Sequence, residues 1–512
     1  MNPWKELRRI DHEVYLLRHV SSLLGWDQET YMPIRGIEER AEQISLLETL
    51  IHSKIVSPAT REALEGAKEQ LDEEHFETEI GGESHVRPFT PIQRAAFLRE
   101  WDRRVARASK IPTSLVSRMA YATSVGQAKW AQAKKEASFE LFKPYLQEIL
   151  ILTRELAGAL GFRETPYDPL VDEYEPGMTC AVLSPLFEQL RKDLVPLFRE
   201  IVSASTVDDR CLHLPFPKEA QEEFGMRILQ AMGFPFERAR LDVSVHPFTS
   251  TLGADDVRIT TRYNPTYFPT AIFGIIHEAG HGLYDLGFGD EIRGTILAEG
   301  VSLGIHESQS RFWENYIGRN KAFWTYWYPI LQKEYLKDLS LVPFDTFLLS
   351  INRVQPSLIR VEADEVSYPL HIILRYNLEK ALVEDSLSIS DLPAAWNDGM
   401  VELLGIKPSH DGEGVLQDIH WSMGSFGYFP TYALGTLYAA QFYSSLLKDH
   451  PQVLQEIEQG KYGTIVQWLR EKVHTLGKIF TAEELCRQIT GSPIDPGYFL
   501  RYVREKYLHR IS

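Results

Sequence analysis

The chain has 512 residues, 44% of them apolar, so it can bury a large core, and length alone allows two to four domains. Its 71 acidic side chains against 54 basic ones leave a formal charge of −17, which argues against nucleic acid or an anionic membrane as a partner. The three cysteines, Cys180, Cys211 and Cys486, are odd in number and far apart, which suits a reducing compartment and offers no metal-binding pair. No apolar run approaches the ~18 residues of a membrane span, and the N-terminus lacks the apolar core of a signal peptide. The expectation is a soluble, cytoplasmic protein.

Leu7, Ile10, Val14, Leu17 and Leu24 recur at helical spacing, and Ile37, Ala41, Ile44, Leu47 and Ile51 repeat the pattern. The stretch between them, Trp26 to Pro33, reads as the turn of a helical hairpin. Residues 72–83, acidic and without period, read as a solvated surface loop. From 91 to 160 the pattern is nearly continuous helix, interrupted at Pro144 and stopped at Gly161. Asp168 to Gly177 reads as a connecting loop, Ser184-Pro185 as the start of a helix, and Gly233 as the end of the one after. The one strand signal is Asp256 to Tyr263, β-branched with period two. As a sheet edge it would accept an extended peptide; otherwise it belongs to an ordinary small sheet with solvated arginines.

Shortly after this strand comes Phe-Gly-Ile-Ile-His277-Glu278-Ala-Gly-His281-Gly-Leu-Tyr. Residues four apart share a helix face, so His277 and His281 can point at one metal ion while Glu278, on the flank, reaches a water there as a general base. The plain alternative is two hydrogen-bonded histidines on a core helix. Pro269 suits the first turn of this helix and Gly287 its end. A hydrolytic metal site needs a third protein ligand and an open fourth position. Asp285, Asp290, Glu291, Glu299 and Glu307 are the acidic candidates; Asp285 is better placed to hold a ligand than to be one. Glu299 and Glu307 both fall on a second apolar-periodic segment, Leu297 to Phe312, and spacing leaves both open. Gly274, Gly280 and Gly282 each weaken the helix by about 1 kcal/mol relative to alanine, which points to close backbone packing there.

After residue 320 helices return. Pro408 to Gly435, rich in glycine, proline, histidine and aromatics, reads as a structured loop of the kind that often carries function. The tail from 437 is helical again, with Trp468, Leu469 and Leu485 as core candidates.

Six motifs stand in order along the chain: His246-Pro-Phe, Asp256-x-Arg258-x-Thr260, His277-Glu-x-x-His281, His306-Glu307-Ser-Gln309, Ile359-Arg360-x-x-Ala363-Asp364 and Gly414-x-x-Gln417-Asp418-x-His420-Trp421. With Trp26-Asp-Gln, Thr490-Gly and Lys506-Tyr507, they resemble the thermostable carboxypeptidase Taq family of metallocarboxypeptidases across the full length. That family is a branch of the helical metallopeptidases that include angiotensin-converting enzyme and neurolysin. The resemblance implies a mostly α fold, a single peptidase domain over 1–512 with two helical halves flanking a deep cleft, and a small sheet beside the metal helix. It also implies a homodimer with one divalent ion per chain, zinc or cobalt.

By the same resemblance His277, His281 and Glu307 hold the metal, and Glu278 activates the attacking water. Arg360 anchors the C-terminal carboxylate of the peptide, a task suited to a planar guanidinium fork; its ordinary role would be an ion pair with Glu362 or Asp364. His420 and Tyr428 donate to the oxyanion, with Tyr432 as the substitute for the tyrosine, and His246 and Arg258 line the cleft. The implied activity is release of single residues from peptide C-termini. An oligopeptidase or dipeptidyl carboxypeptidase is the alternative within the same chemistry. A non-catalytic scaffold with a structural metal would have no need of Glu278. One departure stands out: the angiotensin-converting type of site keeps an aspartate four residues after its glutamate ligand, and here that position is Arg311.

Overall fold

A computed structural model describes residues 2–71, 88–204 and 207–508. The acidic stretch 72–83 lies outside the described residues. Twenty α-helices and one three-stranded sheet make up the regular structure among them.

Asn2 caps the first helix by accepting from the Trp4 and Lys5 amides, and Pro3 occupies its first turn. This helix, α1 (Pro3–Thr30), runs through the stretch expected as a turn. Nothing between Trp26 and Thr30 breaks a helix, and the stop comes from Pro33, which disfavours helical backbone in the residue before it. The hairpin itself is present: α1 packs against α2 (Ile37–Ile55) and α3 (Pro58–Glu69). The long helical stretch that follows divides into α4 (Pro91–Lys110), α5 (Thr113–Glu136) and α6 (Phe139–Leu160). Its breaks fall at Ile111-Pro112 and at Ala137, which takes a left-handed φ of 51°, while Pro144 sits inside α6. Gly161 ends α6 as expected, with φ 82°.

Asp168 to Tyr174 forms a short helix, α7, in place of the expected loop, because Pro169 lies where a proline starts a helix. The Asp168 carboxylate then accepts from the Cys180 amide, so α8 (Cys180–Ala204) begins before Ser184 and carries Pro185 in its interior. After α9 (Lys218–Ala231) come β1 (Ala239–Val243), β2 (Thr249–Gly253) and β3 (Asp256–Thr261). The strand read from the sequence is the central one. β3 pairs with β1 in parallel, Leu241 opposite Ile259, and with β2 antiparallel, Thr251 opposite Val257. With both sides paired, β3 cannot receive a peptide as an added strand.

The sheet packs on α10 (Pro269–Leu286), the helix of the two histidines. Next come α11 (Leu303–Arg311), π-helical turns over Phe312–Gly318, α12 (Lys321–Ile330) and α13 (Phe344–Ile351). Then follow α14 (Tyr368–Val383), α15 (Leu392–Leu404) and an irregular segment reaching α16 (Pro430–Asp449). The expected loop therefore stops at Phe429, and Tyr432 and Gly435 are helical. Four helices close the chain: α17 (Val453–Ile457), α18 (Gly463–Lys472), α19 (Ala482–Thr490) and α20 (Pro496–Leu508). Trp468, Leu469 and Leu485 are buried, as expected. From Trp4 to Val503 nearly all the buried apolar residues form one contiguous cluster. No helix among the described residues is long and apolar enough to cross a membrane.

Candidate active site

The buried face of α10 sets the direction of its histidines. Ala271, Ile272, Ile275 and Ile276 are fully buried, which turns His277 and His281 together toward α11, their rings 5.0 Å apart. The approach of α11 depends on a missing side chain: a Cβ on Gly280 would lie 2.5 Å from the Gln309 carbonyl oxygen. Gly282 is crowded more mildly, by Phe234 and Ile259 at 3.1 and 3.2 Å, whereas at Gly274 a Cβ would meet only the Thr261 hydroxyl at 3.7 Å. Two of the three helix glycines are thus explained by packing. Ser302 caps α11 by accepting from the Ile305 amide, and α16 closes over it at Gly435, where a Cβ would lie 2.5 Å from Glu307 Cγ.

These contacts bring a carboxylate between two imidazoles. Glu307 Oε2 lies 3.7 Å from His277 Nε2 and 3.4 Å from His281 Nε2. Ligand atoms of all three residues fall within 4.8 Å of one another, as donors around one ion of ~2 Å bond length must. Glu299, which spacing left open, is excluded, because it is tied to Arg104 and Lys478 at 2.9 and 2.7 Å. The His277 and His281 side chains keep 19% and 15% of their area exposed, so the position between them reaches solvent.

The surroundings suit metal ligation. His277 Nδ1 lies 2.9 Å from Glu314 Oε2, which fixes Nε2 as its free nitrogen. Burial alone would raise the Glu307 carboxyl, but Arg311 and the two histidines outweigh it and hold it well below the ordinary range. Glu314, half-buried, is held at about 2 by His277 and Arg311 against the opposing effect of its partial burial. Arg311 donates from Nε to Glu307 at 2.7 Å and so holds this carboxylate in place. Glu278 is 6% exposed, and one of its oxygens, Oε2, accepts from the Thr249 hydroxyl at 2.6 Å. Thr251, on the same face of β2, donates to Asp285 at 2.5 Å. Asp285 also pairs with His306 Nε2, at 2.9 Å.

A second group of residues adjoins the first through Tyr368. Arg311 lies over the Tyr368 ring at 4.4 Å, and the Tyr368 hydroxyl accepts from Arg360 Nη1 at 2.9 Å. Arg360 does not pair with Glu362 or Asp364. It is buried and binds Asp418 Oδ1 through Nε and Nη2, at 2.9 and 2.8 Å. The other oxygen of Asp418 binds Arg375 at 2.6 Å. His420 Nε2 lies 3.3 Å from the Tyr432 hydroxyl, and the Tyr428 ring sits 5.2 Å from His420 and 5.3 Å from Tyr432. Burial pushes His420 down to about 4, so its imidazole is neutral at pH 7. The loop bearing these residues hangs on buried Glu379, which accepts from the Trp421 indole, the Gly427 amide and the Tyr167 hydroxyl.

Two sequence candidates have other partners. His246 is exposed in the β1–β2 loop, its carbonyl held by Ser244. Arg258 pairs with Asp256 at 2.9 Å and lies over Trp26 of α1 at 4.3 Å.

The chain matches the carboxypeptidase Taq (M32) metallopeptidase family over residues 6–507. It belongs to that family. The enzyme is 40% identical over 505 residues to Carboxypeptidase 1 of Bacillus subtilis (strain 168), covering 98% of this chain and 96% of that one. Its fold matches the structure of Pyrococcus furiosus carboxypeptidase (Apo-Mg) with a TM-score of 0.92, at 40% identity and 99% coverage of both chains. The M32 carboxypeptidase from Deinococcus radiodurans R1 gives a TM-score of 0.93 at 32% identity, again over 99% of both. The enzyme is therefore a metallocarboxypeptidase. Its divalent metal has a fitting set of donors in His277, His281 and Glu307.

Proposed function

We propose that the enzyme removes single residues from the C-termini of peptides, with Glu278 as general base and Arg360 as the anchor for the terminal carboxylate. The observation that carries this reading is the placement of a buried arginine cluster beside the metal ligands, joined to them through Tyr368 and Arg311.

Two guanidinium groups share one carboxylate in that cluster, Arg360 on one oxygen of Asp418 and Arg375 on the other. The trio carries a net charge of +1 in a site shielded from water, where an unbalanced charge is costly. A substrate carboxylate balances it, and an amide or a mid-chain peptide group does not. This distinguishes an exopeptidase from an endopeptidase.

A divalent ion held by His277, His281 and Glu307 supplies Lewis-acid polarisation and lowers the pKa of water at the site; we propose zinc, with cobalt as a substitute. With Oε2 occupied by Thr249, Glu278 takes the proton of the attacking water on Oε1 and returns it to the leaving amine. His420 and Tyr428 are proposed to donate to the developing oxyanion, His420 from a neutral ring that the Tyr432 hydroxyl orients. Tyr432, hydrogen-bonded to His420 and beside Arg360, better fits a role in shaping the carboxylate pocket. His246, exposed beside β2, is proposed to face the substrate, while the contacts of Arg258 favour joining the sheet to α1.

We further propose that residues 1–512 act as a single peptidase domain in a cytoplasmic homodimer. The continuous core supports the first point. Leu16, Val20 and Leu23, exposed along one face of α1, support self-association.

The test compares one peptide with a free C-terminus and the same peptide amidated. The free acid is expected to be cut at least tenfold better, and Arg360→Met to abolish the preference. Equal cleavage of the two by the unmutated enzyme would remove the anchor role.

A further inference from the structure

The two metal-facing histidines are supported differently. His277 has a carboxylate, Glu314, at its second nitrogen. His281 has another imidazole: its Nδ1 lies 2.5 Å from Nδ1 of His306, and His306 Nε2 lies 2.9 Å from Asp285 Oδ1. The two ring planes are nearly parallel, 29° apart, with centroids at 4.6 Å, so the facing nitrogens lie close to both planes. The position of the His306 ring is built in, since a Cβ on Gly300 would lie 2.9 Å from its Cδ2. Thr251 fixes the far oxygen of Asp285.

The protons in this row can be counted. A histidine that ligates through Nε2 carries its proton on Nδ1. That N–H needs an acceptor, so Nδ1 of His306 must be bare. The proton of the His306 ring then sits on Nε2, where Asp285 accepts it. One arrangement satisfies every contact, and it runs from the Asp285 carboxylate through His306 to the lone pair of His281.

We propose that His306 is a positioning residue for the metal: held by Asp285 at its Nε2, it accepts the Nδ1–H of His281 on its Nδ1 and orients that ligand. The inference rests on the metal site of His277, His281 and Glu307. It gives His306, the neighbour of Glu307 in sequence and partner of Asp285, a task of its own.

The test measures the zinc dissociation constant of metal-stripped protein by competition with a coloured chelator. His306→Leu is expected to weaken zinc binding about 10- to 100-fold, the usual effect of removing a partner of a metal ligand. His306→Asn keeps an acceptor oxygen near the position of Nδ1 and is expected to recover most of that affinity. If His306 were only packing, the smaller Asn would do no better than Leu. Zinc binding by His306→Leu equal to the unmutated protein, or Asn no better than Leu, overturns the proposal.

A second reading uses the unmutated, zinc-loaded enzyme and so survives variants that fail to fold. Nitrogen-15 spectra of its histidines are expected to show His306 protonated on Nε2 and His281 on Nδ1. A proton on Nδ1 of His306 overturns the proposal. Failure of the metal site itself looks different: the unmutated protein would not bind zinc, or His277→Ala would not weaken it.

Discussion

The proposed catalysis turns on how single carboxylates are held. Glu278 keeps one oxygen free because Thr249 occupies the other. Glu278→Gln should lower kcat by about 10²- to 10⁴-fold, the usual worth of a general base. Zinc content should stay unchanged, because Glu278 is not among the ligands. Thr249→Val removes the restraint and leaves the base, so a smaller loss of about 10- to 100-fold is expected, in kcat and not in KM. Steady-state kinetics with metal analysis checks both; a Thr249→Val enzyme of full kcat would show that the hydroxyl does not orient Glu278. Arg311 pairs with Glu307, while Glu314, nearly a turn further on, supports His277.

Among the elements, three helices meet where two lack a Cβ, α10 at Gly280 against α11 and α16 at Gly435 against Glu307. Gly280→Ala pushes a methyl into the backbone of Gln309 and should cost about 1–3 kcal/mol, read by denaturant unfolding. Gly435→Ala meets the ligand side chain itself, so zinc affinity should fall along with stability. These sites also show what sequence can and cannot carry. His277, Glu278 and His281 are legible because one helix supplies all three, and the stop at Gly287 follows from local chemistry. Glu307 against Glu299 is not settled by spacing, because the choice is made by Arg104 and Lys478, distant in the chain. Thr249 and Thr251 left a weak trace, an alternating Thr-x-Thr beside His246-Pro-Phe, too short to stand out as a strand. Arg375 left none, as only the fold brings it to Arg360, through Asp418. The break at Ala137 was equally hidden, since no glycine or proline marks it.

For the whole molecule, a metal held by His277 and His281 of α10 and Glu307 of α11 would tie two helices together, so binding should stabilise the fold. Zinc at 100 times its dissociation constant adds about 2.7 kcal/mol, seen as a rise in Tm over the chelated protein. Acid should act oppositely through buried His474, whose Nε2 meets Gln309 at 3.0 Å. Burial pushes this imidazole from 6.5 down to about 3, so between these values the unfolded chain binds a proton that the folded chain does not. Stability is therefore lost as pH falls below about 6.5. In metal-free protein, His474→Gln should flatten the fall in Tm between pH 6.5 and 4 relative to the unmutated chain. The central claim is tested most directly by mass spectrometry of an unblocked peptide incubated with the zinc-loaded enzyme, beside Glu278→Gln. A ladder of single-residue losses from the C-terminus, absent in the variant, is the predicted result. Internal cuts, release of dipeptides, or an undiminished ladder with Glu278→Gln would contradict it.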